Sequence, residues 1–526
     1  MSGLDPVGCR FLRTFDGLEP TDDILDAIRS GAASGVTLFE AKNVGLPPQV
    51  RALAYALQAA RPAGDPPLLI GLDQEGGQLQ AVGEGATAWP GNLALGATGS
   101  EELTRAAGIA IGLEAAAMGA TLVYAPVCDV LALASATPLG TRPFGSDPVL
   151  VARLAAAMTA GLQASGVLAT LKHFPGHGSA HGDSHVAMLT VEGSAAEIRE
   201  RDLAPFAAGI AAGALAVLPG HIAVPALTGG RSIKATVSRE ILEGTLRGEL
   251  GFDGVTISDA LDMGGAGAPS DLGSTVVASA AAGMDLLMLL HPPDVEDAMV
   301  EALRTAAREG RISEANLATA AARIRRVRGW LAGFEQPALE VVACDAHLDL
   351  ARRIATASVT LVADPGRLLP LATGSGSRIA VLAPTPADLT PAETSSFVKL
   401  ELGTVLRQRG LDVDEHLVPL DPGPDEVASL ADAVESADVV VVATFESIHF
   451  PSQASLVRRL AERRPTVAIA LRSPYDVSTY PAGVAAICTY GIQPPQIDAL
   501  ADALVGRIPF AGRLPVELPQ PVGPAR

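Results

Sequence analysis

Residues 167–188 read VLATLKHFPGHGSAHGDSHVAM, and the first eight letters carry the fold. Apolar positions follow one another without alternation as far as Lys172 and His173, the pattern of a strand covered on both faces. The same pattern returns in GVTLFEA (35–41), LLIGLDQE (68–75), TLVYAPVCDV (121–130), ALAVLPGHI (214–222), GVTISDAL (254–261) and DLLMLL (285–290). Ala-rich amphipathic segments lie between the runs, so strand and helix alternate as they do around a parallel sheet. RFLRTFDG (10–17) supplies one more strand, and eight such units predict a (β/α)8 TIM-like barrel. Most runs end on a polar residue: Asp73, Asp129, Lys172 with His173, His221, Asp259. Strand C-termini are where such barrels carry their chemistry.

Helical spacing in SEANLATAAARIRRVRGWL (313–331) closes this region, and GFEQPALEVVACDAH (333–347) then loses periodicity. A second alternation follows in RIAVLAP (378–384), DVVVVATF (438–445), TVAIALRSP (466–474) and AAICTYG (485–491). The expected organisation is α/β throughout: a barrel over 1–335, a linker over 336–350, and a smaller open α/β sandwich domain over 351–526.

A formal charge of −20 argues against nucleic acid or an anionic membrane as partner, because counterion release requires clustered Lys and Arg. No run approaches the roughly 20 consecutive apolar residues of a membrane span. The opening MSGLDPVGCRFLRTFDGLEP lacks the basic start and apolar core of a secretory signal, so a cytoplasmic location is expected. Cys9, Cys128, Cys344 and Cys488 are far apart and form no CxxC pair, which predicts buried free thiols.

His173, His177, His181 and His185 recur every fourth residue, but Pro175, Gly176, Gly178 and Gly182 between them disfavour a continuous helix. With no HExxH pattern and only Asp183 as a nearby acid, a metal site is not indicated. No metal or organic cofactor is expected. The strand instead delivers Lys172 and His173 to the barrel mouth, and the Gly-rich loop carries Asp183 and His185. Two residues apart, these share one side of an extended segment, where the carboxylate orients the ring and favours its protonated form. Asp259, ending an apolar strand, is the candidate nucleophile, while Asp262 reads as a helix-starting residue.

Taken together, KHFPGHG followed after four residues by DSH, with GLDQEGG (71–77), YAPVCDV (124–130), RPFGSDP (142–148), GHI (220–222) and GVTISDALDM (254–263), resembles the family 3 glycoside hydrolases. The resemblance is to their bacterial β-N-acetylglucosaminidase branch of cell-wall recycling, and a looser one extends to the second domain of two-domain members. It implies a carbohydrate substrate and a retaining mechanism: Asp259 attacks the anomeric carbon, and His185, oriented by Asp183, serves as acid and base. It also implies that Asp73, Arg142, Lys172 and His173 bind the sugar of the −1 subsite, Asp73 as acceptor and the others as donors.

The chain departs from the family pattern at four positions. Gln78 and Ala81 stand where arginines are expected, the second of which touches the sugar; Thr141 stands for an aspartate and Pro143 for a serine. Several alternatives remain open on sequence alone: a phosphorylase with phosphate as acceptor, a β-glucosidase or β-xylosidase, attack by the substrate's own acetamide, and a carbohydrate-binding protein without turnover.

Overall fold

The computed structural model describes residues 5–132, 139–180, 188–261, 271–374 and 376–519. The eight apolar runs form eight short strands: β1 (Phe11–Arg13), β2 (Gly35–Leu38), β3 (Leu69–Leu72), β4 (Leu122–Val123), β5 (Leu168–Phe174), β6 (Ala216–Pro219), β7 (Val255–Thr256) and β8 (Leu287–Met288). They pair in parallel in the order β7-β6-β5-β4-β3-β2-β1-β8. A parallel bridge between Ile257 and Leu286 brings the two edges together and closes the ring. Every residue of β2, β3 and β6 is buried, as unbroken apolar runs require when helices cover the outside and side chains fill the inside.

Several of the surrounding helices begin where short polar residues cap them. Thr21 and Ser100 accept the amide protons of Ile24 and Leu103 at the starts of Asp22–Arg29 and Glu101–Ala117. Asp147 does the same ahead of Pro148 in Pro148–Ala164. The abundance of small residues also has a visible use: helices Glu101–Ala117 and Pro148–Ala164 approach so closely that a Cβ at Gly161 would lie 2.4 Å from the Arg105 carbonyl oxygen.

The C-terminal sheet contains β9 (Thr360–Ala363), β10 (Arg378–Pro384), β11 (Asp412–Val418), β12 (Val439–Thr444), β13 (Thr466–Ala470) and β14 (Ala485–Cys488). Its order is β9-β14-β13-β12-β10-β11, and only β9 runs antiparallel to its neighbour. Alternate residues of β12 enter different cores, Val441 and Ala443 on one face and Val440 and Val442 on the other, so helices cover both sides. The stretch read as a linker is partly helical. Helix Asp345–Ser358 starts inside it, and Leu350, Ala351 and Ile354 join the barrel's core, because their spacing of one, three and four residues forms an apolar stripe.

The two sheets are joined by a shared apolar cluster that includes Leu93, Ala94 and Ala97 from the first region and Tyr475, Tyr490 and Val516 from the second. The Ser146 amide donates to the Pro515 carbonyl at 2.9 Å and the Arg513 amide to that of Ala97 at 3.0 Å. All four cysteines are free; Cys344 is only partly buried, the other three fully. Among the described residues, no helix is long and apolar enough to cross a membrane.

Candidate active site

β5 is the longest barrel strand, and it carries Lys172 to the mouth with its side chain 3 % exposed. The ammonium lies 2.7 Å from an Asp73 oxygen and 2.6 Å from one of Glu75. Both acids follow β3, where the chain turns into the hairpin of Gln74–Gly76 with Leu79–Gln80. Arg142, from the segment after β4, donates to Glu75 through Nε and a terminal nitrogen at 3.0 and 2.8 Å. Glu75 is thus a buried carboxylate held between two cations. Burial alone would raise its pKa, but Arg142 and Lys172 outweigh that and hold it down to about 2.

His173 meets Asp129 through Nδ1 at 2.7 Å and the Arg142 guanidinium through Nε2 at 3.4 Å. A guanidinium can only donate, so these partners assign the ring proton to Nδ1. In this arrangement Nε2 accepts from Arg142. Asp129 also accepts the His177 amide at 2.7 Å. Burial opposes its ionisation, yet His173 and His177 hold its pKa below the ordinary carboxylate value. His177 is buried, and burial pushes its imidazole down to about 4, so this histidine is a neutral loop anchor near neutral pH.

Asp259 follows β7, is partly buried, and accepts the Ala260 amide proton at 2.9 Å. The turn that carries it is braced by buried His221, whose two ring nitrogens lie 3.0 Å from the Ala260 carbonyl and from the Thr236 hydroxyl. Asp259, Asp73, Arg142, Lys172 and His173 all line one cavity of about 570 Å³ at the strand C-termini. Asp183 and His185, with His181 and Asp262, lie outside the described residues.

Sequence reading missed three contributors. Glu75 was visible within DQEGG, and Asp129 at the end of an apolar run, but the groups they meet come from distant segments. The third is a strap of the C-terminal domain, residues 388–397, which lines the same cavity with Thr390, Glu393, Thr394 and Phe397. The Thr394 amide donates to the Gln78 carbonyl at 2.8 Å, and its hydroxyl accepts the Gln80 amide at 3.2 Å. Beneath the strap, buried Arg472 grips Glu393 through two bonds of 3.0 and 3.1 Å and also pairs with Glu446.

Two of the four departures from the family pattern are partners. The Gln78 side-chain oxygen accepts from the Thr141 amide at 2.8 Å and from its hydroxyl at 3.2 Å. Where an arginine and an aspartate were expected, a neutral hydrogen-bonded pair stands. Gly140, at φ +49°, passes so close that a Cβ there would overlap the Gln78 oxygen and the Arg472 guanidinium. An arginine at position 78 would therefore crowd Arg472.

Comparison with known proteins gives a consistent result. Residues 11–327 match the family model described as the glycosyl hydrolase family 3 N-terminal domain. A beta-hexosaminidase of Pseudomonas aeruginosa is 41% identical over 261 residues, 49% of this chain and 75% of that protein. A beta-N-acetylglucosaminidase/beta-glucosidase of Cellulomonas fimi is 31% identical over 489 residues, 86% of this chain and 84% of that one. The solved structure of a family 3 beta-N-acetylglucosaminidase from Paenibacillus sp. str. FPU-7 superposes with a TM-score of 0.92 at 32% identity, covering 98% of this chain and 99% of its own.

Proposed function

The chain belongs to glycoside hydrolase family 3, and we propose that it is a retaining exo-β-N-acetylglucosaminidase that removes terminal β-linked N-acetylglucosamine. The observation that carries this reading is the convergence of Asp259 with Asp73, Arg142, Lys172 and His173 on one cavity, of a size that suits a small ligand. Asp259 attacks the anomeric carbon and forms a glycosyl-enzyme. His185, oriented by Asp183, protonates the leaving oxygen and then deprotonates the incoming water.

Lys172 and Arg142 hold their donors in place against Glu75 and present the remaining N–H groups to sugar hydroxyls, while Asp73 accepts. Since Glu75 stays ionised, the two cations need not reorganise when substrate enters. Water rather than phosphate is the acceptor. Glu40 and Asp388 both line the cavity, and a dianion entering past them is repelled. Muropeptide and chitin fragments are the substrate types this reading favours, with a cytoplasmic role in cell-wall recycling.

The test is release of p-nitrophenol from its β-N-acetylglucosaminide and its β-glucoside, with and without phosphate. Selective, phosphate-independent turnover of the N-acetylglucosaminide is expected. Turnover only with phosphate, or preference for the glucoside, would overturn the assignment.

A further inference from the structure

A second cavity, of about 670 Å³, adjoins the first. Glu40, Ala81, Thr394 and Phe397 line both. Ala81 is the decisive member of this common wall, because it contributes only a methyl group and its amide is bonded to the Asp73 carbonyl at 2.9 Å. The shared wall therefore lies beside Asp73, the proposed acceptor for hydroxyls of the bound sugar. A substituent on one of those hydroxyls would meet this wall where its smallest side chain stands.

We infer that the chamber beyond Ala81 is a further sugar-binding subsite, so that the enzyme accepts a β-N-acetylglucosaminide whose −1 sugar itself carries a neutral saccharide unit. The inference rests on the reading above and extends it past the unsubstituted terminal sugar. Three features of the chamber fit a sugar ring. Phe397, 67% exposed, offers an uncovered aromatic ring at the junction of the two cavities. Glu40 and Glu84 add acceptors for sugar hydroxyls. The charge is unfavourable to an anionic substituent, since the chamber's Lys399 is already bonded to Glu401 at 2.7 Å while Glu40 and Glu84 remain. Both walls are needed: Ala81 and Glu84 come from the barrel, and Thr394, Phe397 and Lys399 from the C-terminal domain.

The experiment compares p-nitrophenyl β-N-acetylglucosaminide with three derivatives in which a hexose is attached at O3, O4 or O6 of the −1 sugar, and detects the intact disaccharide released. At least one derivative is expected to release it with kcat/KM within about tenfold of the parent, the range that one well-made contact spans. Ala81→Arg, which enlarges the side chain at this wall, should lower the derivative-to-parent ratio by at least about tenfold. Phe397→Ala, at an exposed position that leaves folding intact, should lower it by about 2- to 10-fold. Parent turnover with no disaccharide release from any derivative, or a ratio unmoved by both variants, overturns the inference alone. A preference for a uronic acid over a hexose overturns its neutral-sugar element. Failure on the parent as well would overturn the glycosidase assignment with it.

Discussion

Arg142 at the barrel mouth and Arg472 beneath the strap are both buried arginines gripping a glutamate through two bonds, but their surroundings differ in charge balance. At the mouth, Arg142 and Lys172 together face buried Glu75, with Asp73 opening onto the cavity. Under the strap, Arg472 faces both Glu393 and Glu446. Asp476, also buried, is close enough to Glu446 for burial and that charge to push its pKa up to about 7. The first cluster keeps Glu75 ionised near neutral pH and leaves N–H groups of Arg142 and Lys172 facing the cavity. The second has acid to spare, and Asp476 titrates near neutrality. On the proposed reading, the same residue types serve binding in one place and positioning in the other.

The largest expected difference between the clusters is in catalysis. Asp259→Ala, which leaves both clusters intact, should lower kcat/KM by on the order of 10⁴-fold or more with an unchanged melting temperature. Glu75→Ala strands the buried Arg142 guanidinium and leaves Lys172 only Asp73, and should cost about 3–5 kcal/mol of stability together with nearly all activity. Arg472→Met removes the buried cation shared by Glu393 and Glu446, leaving the second only His449 as an ion-pair partner, and should cost a similar amount, about 3–5 kcal/mol. Activity should survive it in part, with KM raised more than kcat is lowered. Denaturant unfolding beside steady-state kinetics measures both, and equal loss of kcat in the two variants would erase the distinction between binding and positioning.

The pH dependence separates the clusters by sign. Acidification acts on the mouth: His177 is neutral in the fold, so its contribution is full above about 6.5 and is lost as pH falls toward about 4. Glu75 follows, its contribution present above about 4.5 and lost as pH falls through about 2. Asp476 acts in the opposite direction. Its raised pKa makes its contribution full below about 3.8 and lost as pH rises through about 7. Asp476→Asn should therefore gain melting temperature relative to the parent chain between pH 5 and 8. A parallel offset at all pH values would contradict the assignment.

The smallest effect concerns the neutral pair that joins the two regions. Gln78→Arg removes the acceptor for Thr141 and adds a cation near Arg472, and should cost about 1–3 kcal/mol. Adding Thr141→Asp should recover part of it, a coupling that a double-mutant cycle reads directly. Strict additivity would show that the two departures are unrelated.

The barrel was legible because each strand is covered on both faces, which writes itself as an unbroken apolar run. Asp73, Lys172, His173 and Asp259 were legible as polar residues closing such runs, and Arg142 through its motif. Their partners were not. Glu75 meets Lys172 only once β3 and β5 are placed around β4, and Gln78 meets Thr394 across 316 positions of sequence. Residues 388–397 carry no motif of their own, and nothing local reports that Arg472 anchors Glu393. The start of helix Asp345–Ser358 was hidden in an apparent linker because its N-cap and first three residues, CDAH, show no apolar stripe of their own.

The most direct test of the central claim is a trapping experiment with a slow fluorinated N-acetylglucosaminyl donor, followed by intact mass measurement and peptide mapping. The account predicts one glycosyl group per chain, on Asp259, that forms and decays at the rate of slow turnover. Turnover with no adduct, or an adduct on any other residue, would contradict it.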